Sequence, residues 1–428
     1  MKFTFNQIIN QIKAKGFKNL FSLTFGTTIA QVIPFLVSPI LTRNYSPENF
    51  GLLEVILRIY GVLITLFSLR LEQAIVLPKL DNDALKISAA AIYSSVFSLL
   101  IFTFLLFISS DLIANQLNNS ELSFWMVCLP LLVFLSSIVQ IASNFLVRKE
   151  KFAVFGYSRI IDSFSNNLWK LGFGFLYPKV SSGLILPNFI AAFLTAVYTV
   201  YKAFNNQIKT LISHLNFNEF KTQVKKYSDF PLINLPNALL DNLLIVVFVF
   251  MISSFYGGNY LGFYAITLRV LKTPLGIIGN STGYIFLQKA SSMHAEGQSI
   301  EKLFLKSFGM LFLIGIVVFL PIIFFGEHMF SIFFGSSWAE SGRLAGITSV
   351  WLFLSFIASG LSNLPVVMRK QKIVFAMALI NFFLINSTLF ICYKMGLNFF
   401  ESFKWISIIE SGYFIFVLLW YYNIAKTK

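Results

Sequence analysis

Twelve runs of about 20 mostly apolar residues follow one another along this 428-residue chain, and no other feature narrows its fold as much. They lie near residues 20–41, 51–69, 86–109, 123–145, 153–175, 182–204, 231–255, 260–285, 303–325, 342–366, 373–394 and 402–423. Each is long enough to cross the hydrocarbon core of a bilayer as a helix. Backbone polar groups in lipid must be satisfied within the structure, and runs this long do not fit a closed barrel. The chain therefore reads as an all-α polytopic membrane protein. Composition points the same way: 57% of residues are hydrophobic and only 12% charged, where soluble chains carry about 25% charged residues. The first 18 residues hold four Lys, and no small-residue cleavage site follows the first run, so that run reads as a retained span and not a signal peptide.

The net charge of +15 raises the question of a nucleic-acid partner. The placement of the charges answers it. With the N-terminus in the cytoplasm, 23 Lys and Arg fall on cytoplasmic segments and five (Arg43, Lys179, Arg343, Lys394 and Lys404) on the opposite loops. The bias sets both termini in the cytoplasm. Membrane topology and anionic lipid headgroups account for the positive charge, and no nucleic-acid partner is expected.

The chain also repeats itself. "YSPENFGLLEVILRI" (Tyr45 to Ile59) aligns with "YGGNYLGFYAITLRV" (Tyr256 to Val270) at an offset of 211, pairing Tyr45 with Tyr256, Gly51 with Gly262 and Arg58 with Arg269. "RKEKFAVF" from Arg148 aligns with "RKQKIVFA" from Arg369 at an offset of 221. Both matches relate spans 1–6 to spans 7–12, and six spans preserve orientation, which is the pattern of a parallel repeat about an axis along the membrane normal. The expected architecture is an N-terminal six-helix lobe (1–204), a cytoplasmic linker (205–230) and a C-terminal six-helix lobe (231–428). Ile208, Leu211, Ile212, Leu215 and Phe220 give the linker an amphipathic helical stripe, suited to lying on the inner leaflet.

Several chemistries lack their motifs. There is no GxxxxGK[ST] loop for ATP, and no HExxH, CxxC or paired-His spacing for a metal. Cys128 and Cys392 lie in apolar runs, with no disulfide framework between them. "GNSTG" (Gly279 to Gly283) matches the GxSxG elbow of hydrolases but sits in a predicted membrane helix, where the strand-turn-helix context of that motif is missing. The same residues fit small-xxx-small helix packing. No cofactor and no enzymatic activity are expected.

The informative residues are the ionisable ones inside spans: Glu54, Arg58, Arg159, Asp162, Lys170, Asp241, Arg269, Lys272 and Glu410. Each would cost about 2.5–3.5 kcal/mol at the bilayer centre, so they must face a wet cavity or one another. Glu54 and Arg58 stand four apart on one helical face, in the favourable order. Arg58 and Arg269 occupy equivalent places in the two halves; two cations across a pseudo-twofold would form an anion site, and the planar fork of Arg suits phosphate oxygens.

The segment "FGTTIAQVIPFLVSPILTRNYSPENFG", followed by "LRLEQAIVLPK", resembles bacterial O-antigen and capsular polysaccharide repeat-unit flippases of the multidrug/oligosaccharidyl-lipid/polysaccharide exporter superfamily. The resemblance rests on Tyr45, Pro47, Phe50 and Gly51; on Glu72, Ala74, Ile75, Leu77 and Pro78; and on Arg148, Lys149, Lys151 and Phe152. It covers about the first 160 residues. It implies two six-helix lobes around a V-shaped central cavity that opens alternately to either side. It also implies an undecaprenyl-pyrophosphate-linked oligosaccharide as substrate, a bacterial inner-membrane location, O-antigen (lipopolysaccharide) or capsule biosynthesis, and a polysaccharide polymerase complex as partner. By position, Arg58, Arg269, Lys272 and Arg159 are the expected pyrophosphate-binding residues. Glu54, Asp162, Asp241 and Glu410 are the candidates for ion coupling or charge pairing. The rival readings are a cation-coupled drug or metabolite antiporter of the same superfamily, a membrane enzyme of the polysaccharide pathway, and a non-transporting scaffold.

Overall fold

A computed structural model describes residues 26–426 of the chain. The four N-terminal lysines, the opening of the first span (residues 20–25) and Lys428 lie outside the described residues, as does the side chain of Asn280. The described residues form helices joined by short turns, with no strand among them.

Twelve long helices match the twelve apolar runs. They are α1 (described over 26–44), α2 (Pro47–Phe67), α3 (Asp81–Gln116), α4 (Glu121–Arg148), α5 (Phe152–Leu176), α6 (Ser182–Phe204), α9 (Leu235–Tyr256), α10 (Gly258–Ala295), α11 (Glu301–Phe334), α12 (Ala339–Leu361), α14 (Gln371–Lys394) and α15 (Phe399–Lys426). Short helices α7 (Ile208–Ser213), α8 (Phe217–Lys226) and α13 (Leu364–Val367) complete the set. Ten helical segments are long and apolar enough to cross a membrane, which makes this a multi-pass membrane protein. The part-described α1 and the charged α5 are not among those ten. α5 carries Arg159, Asp162 and Lys170 within 25 residues, and Lys170 is nonetheless buried, so its helix is held by packing on neighbours.

The described residues group into two compact units, one built from 26–37 and Leu52–Val246, the other from Ser38–Gly51 and 247–426. In the first unit one core cluster forms around the turn between α2 and α3. Leu71, Ala74 and Ile75, on the 3-10 turn Leu71–Val76, pack with Ile87, Ile141, Phe145, Phe204 and Leu211. The predicted stripe of residues 208–220 divides here: Leu211 is buried and Leu215 and Phe220 pack on this core, while Ile208 and Ile212 remain exposed. A break after α7 also splits the stripe over two helices. Asn216 caps α8 by accepting from the Glu219 amide at 2.8 Å, so the stripe turns before it can run as one helical face.

In the second unit the turn at residues 45–47 packs against its own repeat. A Cβ on Gly51 would fall on the Gly258 carbonyl oxygen, and one on Gly262 would fall on the Pro47 carbonyl oxygen. Pro47 and Gly258 are equivalent at the same offset of 211, so the two helix starts touch reciprocally, backbone to backbone, as only glycine permits. Around them the Trp338 indole donates to the Thr42 carbonyl at 2.7 Å and stands edge-on to Phe50, ring centres 5.1 Å apart. Arg43 donates to the Ile332 carbonyl at 3.2 Å.

Candidate functional site

The ionisable residues fall into groups within each unit. In the first, Glu54 is buried and Arg58 is one-third exposed; the Arg58 Nε donates to Glu54 Oε1 at 2.7 Å, with a second, shorter contact through its terminal nitrogen. One turn of α2 thus supplies both the cation and its counter-ion. On α5, Arg159 lies over the Phe155 ring at 4.9 Å. Thr195 of α6 donates to Asp162 at 3.5 Å. Tyr60 of α2 faces Ser136 and lies within electrostatic reach of Asp162 and Arg159. Asn166 donates to Asn188 at 2.9 Å, and Asn167 to the Ser163 carbonyl at 2.7 Å, so the polar face of α5 is answered by α6 and by its own backbone. Asp241 stands apart: it is exposed on α9, and it is its neighbour Asn242 that approaches α2 at Gly61.

In the second unit, Arg269 and Lys272 lie within one turn of α10, each set over an aromatic ring. The Arg269 guanidinium is 5.8 Å from the Phe50 ring centre and the Lys272 ammonium 5.7 Å from that of Trp351. Such stacking holds a cation in a weakly polar setting without neutralising it. The place of Glu54 is taken by Ala265 in this repeat, so α10 offers no carboxylate one turn before Arg269. A carboxylate comes instead from α15: Glu410 is buried, within electrostatic reach of Lys272 and hydrogen-bonding reach of the Trp351 indole. With its amide oriented to satisfy both groups, Asn381 of α14 donates to Glu410 at 2.7 and 3.3 Å. Lys272 also lines a cavity of about 200 Å³ with Ser355, Ser359, Phe319 and Phe356. Pro274 lies just beyond, inside a helix that continues through it; having no N–H, it leaves the Val270 carbonyl without its usual intrahelical donor.

The "GNSTG" stretch is a packing face. A Cβ on Gly279 would meet Ser359 Oγ at 2.6 Å, and Asn363 donates to the Gly283 carbonyl at 3.0 Å. Among the described residues no group of three or more His, Cys, Asp or Glu is gathered for a metal.

Sequence reading missed the neutral partners, Tyr60, Thr195, Trp351 and Asn381. Asn381 was the detectable one, as an amide in an apolar run. Two of the short motifs that carry the family resemblance prove to be one structural clasp. Arg148 donates to the Pro78 carbonyl, to the Lys79 carbonyl at 3.1 Å and to Asp81 at 3.1 Å, and Lys149 pairs with the same Asp81. Upstream, Leu69 and Arg70 take left-handed conformations (φ 52° and 61°), held where buried Glu72 accepts from Ser68 and pairs with Arg70 at 3.6 Å.

A family model for polysaccharide biosynthesis proteins matches residues 40–343. A capsular polysaccharide biosynthesis protein, CapF of Staphylococcus aureus, is 23% identical over 361 residues, 80% of this chain and 83% of its own length. Among solved structures, an inward-facing multidrug resistance MATE family transporter of the MOP superfamily superposes with a TM-score of 0.69 at 16% identity, covering 91% of this chain and 93% of that one. The lipid II flippase MurJ superposes with a TM-score of 0.68 at 14% identity, covering 93% and 86%. The chain shares the fold of these two structures.

Proposed function

The chain belongs to the polysaccharide biosynthesis protein family, and from that premise we propose that it is a flippase for lipid-linked oligosaccharide. The cargo is an undecaprenyl-pyrophosphate-linked repeat unit, moved by alternating access from the cytoplasmic to the outer leaflet of a bacterial inner membrane for O-antigen or capsule assembly. The protein works there with both termini in the cytoplasm and hands its product to a polysaccharide polymerase. The observation that carries the reading is the pair of cations on α10, Arg269 over Phe50 and Lys272 over Trp351, the latter beside a cavity of about 200 Å³. Two cationic side chains within one turn of a membrane helix suit a diphosphate. Arg58 supplies the equivalent charge on α2, balanced by Glu54 until a phosphate oxygen competes for it, and Arg159 is the next cation in that unit. The test is complementation of a flippase-deficient strain with Arg58→Ala/Arg269→Ala at matched expression. Loss of surface polysaccharide is expected; normal polysaccharide would sink the anion site.

A second reading, cation-coupled transport, is favoured by buried Glu410 with its Asn381 and Lys272 neighbours. In it Glu410, Asp162 or Asp241 takes up a proton or cation as part of the cycle. If so, Glu410→Gln and Asp241→Asn lose the response of transport in vesicles to an imposed ion gradient. An unchanged response in both would remove this coupling.

A further inference from the structure

We propose that the first unit binds the headgroup of an anionic phospholipid in a basic cavity at the end of α6. The cavity has a volume of about 420 Å³, and Lys149, Lys151, Lys202, Asn205, Asn206 and Tyr201 line it. That size falls within the range of small-ligand pockets, about 300–1,000 Å³. No carboxylate lines it among the described residues. Lys149 is already shared with Asp81, and the Lys151 ammonium donates to the Lys202 carbonyl at 3.3 Å, which ties the residue before α5 to the last turn of α6 at the cavity. The exposed amides of Asn205 and Asn206 add donors for phosphodiester oxygens.

The surroundings select a lipid over a soluble anion. α6 is 23 residues long, and Lys202 sits in its last turn, where a span of that length meets the headgroups. Val197 and Tyr201 on α6 and Ile208 and Ile212 on α7 are all exposed, between 43% and 59%, so apolar surface runs on both sides of the lysines. A tyrosine at that depth is an interfacial anchor. The repeated motif also borders a cavity in its own unit: Arg369 lines one of about 600 Å³ with His294 and exposed Val366. The proposal rests on the protein's being embedded in a bilayer and not on which cargo it carries.

Native mass spectrometry of the full-length, delipidated protein tests it. The protein is titrated with phosphatidylglycerol, with phosphatidylcholine, and with phosphatidylglycerol in the presence of inorganic pyrophosphate. Lys151→Gln/Lys202→Gln should bind phosphatidylglycerol about 30-fold more weakly, about fivefold for each lysine, and the Arg/Arg version should restore it. Lys225→Gln/Lys226→Gln, which removes the same charge from exposed positions on α8, should leave binding within about twofold. Equal losses in the two Gln doubles, equal binding of phosphatidylcholine, or displacement of the lipid by pyrophosphate would each overturn the proposal. Because no transport is read, failure here leaves the flippase reading standing, and the reverse holds too.

Discussion

Glu54 and Arg58 show what one charged residue costs in such a chain and what removes the cost. Replacing Glu54 with Gln leaves the guanidinium in the helix without its partner. A fully buried pair broken this way loses about 3–5 kcal/mol, but Arg58 is one-third exposed, so about 1–2 kcal/mol is expected after screening. Thermal unfolding in detergent should show the drop, and Glu54→Gln/Arg58→Gln should recover most of it; a larger loss in the double variant would contradict the pairing. Glycine positions separate in the same way. Gly262→Ala drives a methyl group into the Pro47 carbonyl and should cost about 1–3 kcal/mol. Gly412→Ala meets nothing within 4 Å and should be neutral or gain up to about 1 kcal/mol of helix propensity. At this scale the charges were legible, because an ion in an apolar run stands out. Tyr60 and Thr195 were not, because a neutral polar side chain acquires its meaning only from the neighbour that the fold supplies.

Among the elements, the clasp around Pro78 has the sharpest consequence. Arg148 is only 10% exposed and its terminal nitrogens serve three acceptors at the start of α3. Arg148→Ala should loosen that turn by about 2–3 kcal/mol, a charged donor's hydrogen bonds being the stronger kind. Amide exchange over residues 68–81 should then quicken by about 30- to 100-fold. Lys149→Gln, at an exposed ion pair, should change the same amides by less than about fivefold. Helix existence was readable from run length alone, down to α5 and α10, whose charges make them the weakest of the runs. The meaning of the Glu72–Pro78 and Arg148–Phe152 motifs was not readable. They lie 70 residues apart, and only tertiary packing shows that one holds the other. The linker stripe was half legible, since helical periodicity says which residues share a face but not where the helix stops.

For the molecule as a whole, the flippase reading sets an energetic expectation. Carrying net negative charge outward is favoured by an inside-negative potential at about 2.3 kcal/mol per charge per 100 mV. Reconstituted protein should therefore translocate a fluorescent pyrophosphate-linked oligosaccharide lipid without nucleotide, faster when a potassium diffusion potential is imposed; indifference to the potential would remove this driving force. One more property concerns how the chain is cut. The segment Ser38–Gly51 is held in the second unit, by Trp338 and by the reciprocal glycine contact, although it precedes nearly all of the first. The protein is in this sense threaded: its beginning is lent to its end. A protease nick in the exposed stretch near Asn206, or expression as two fragments divided there, should yield pieces that co-purify as a complex, with no peptide bond needed to keep them together.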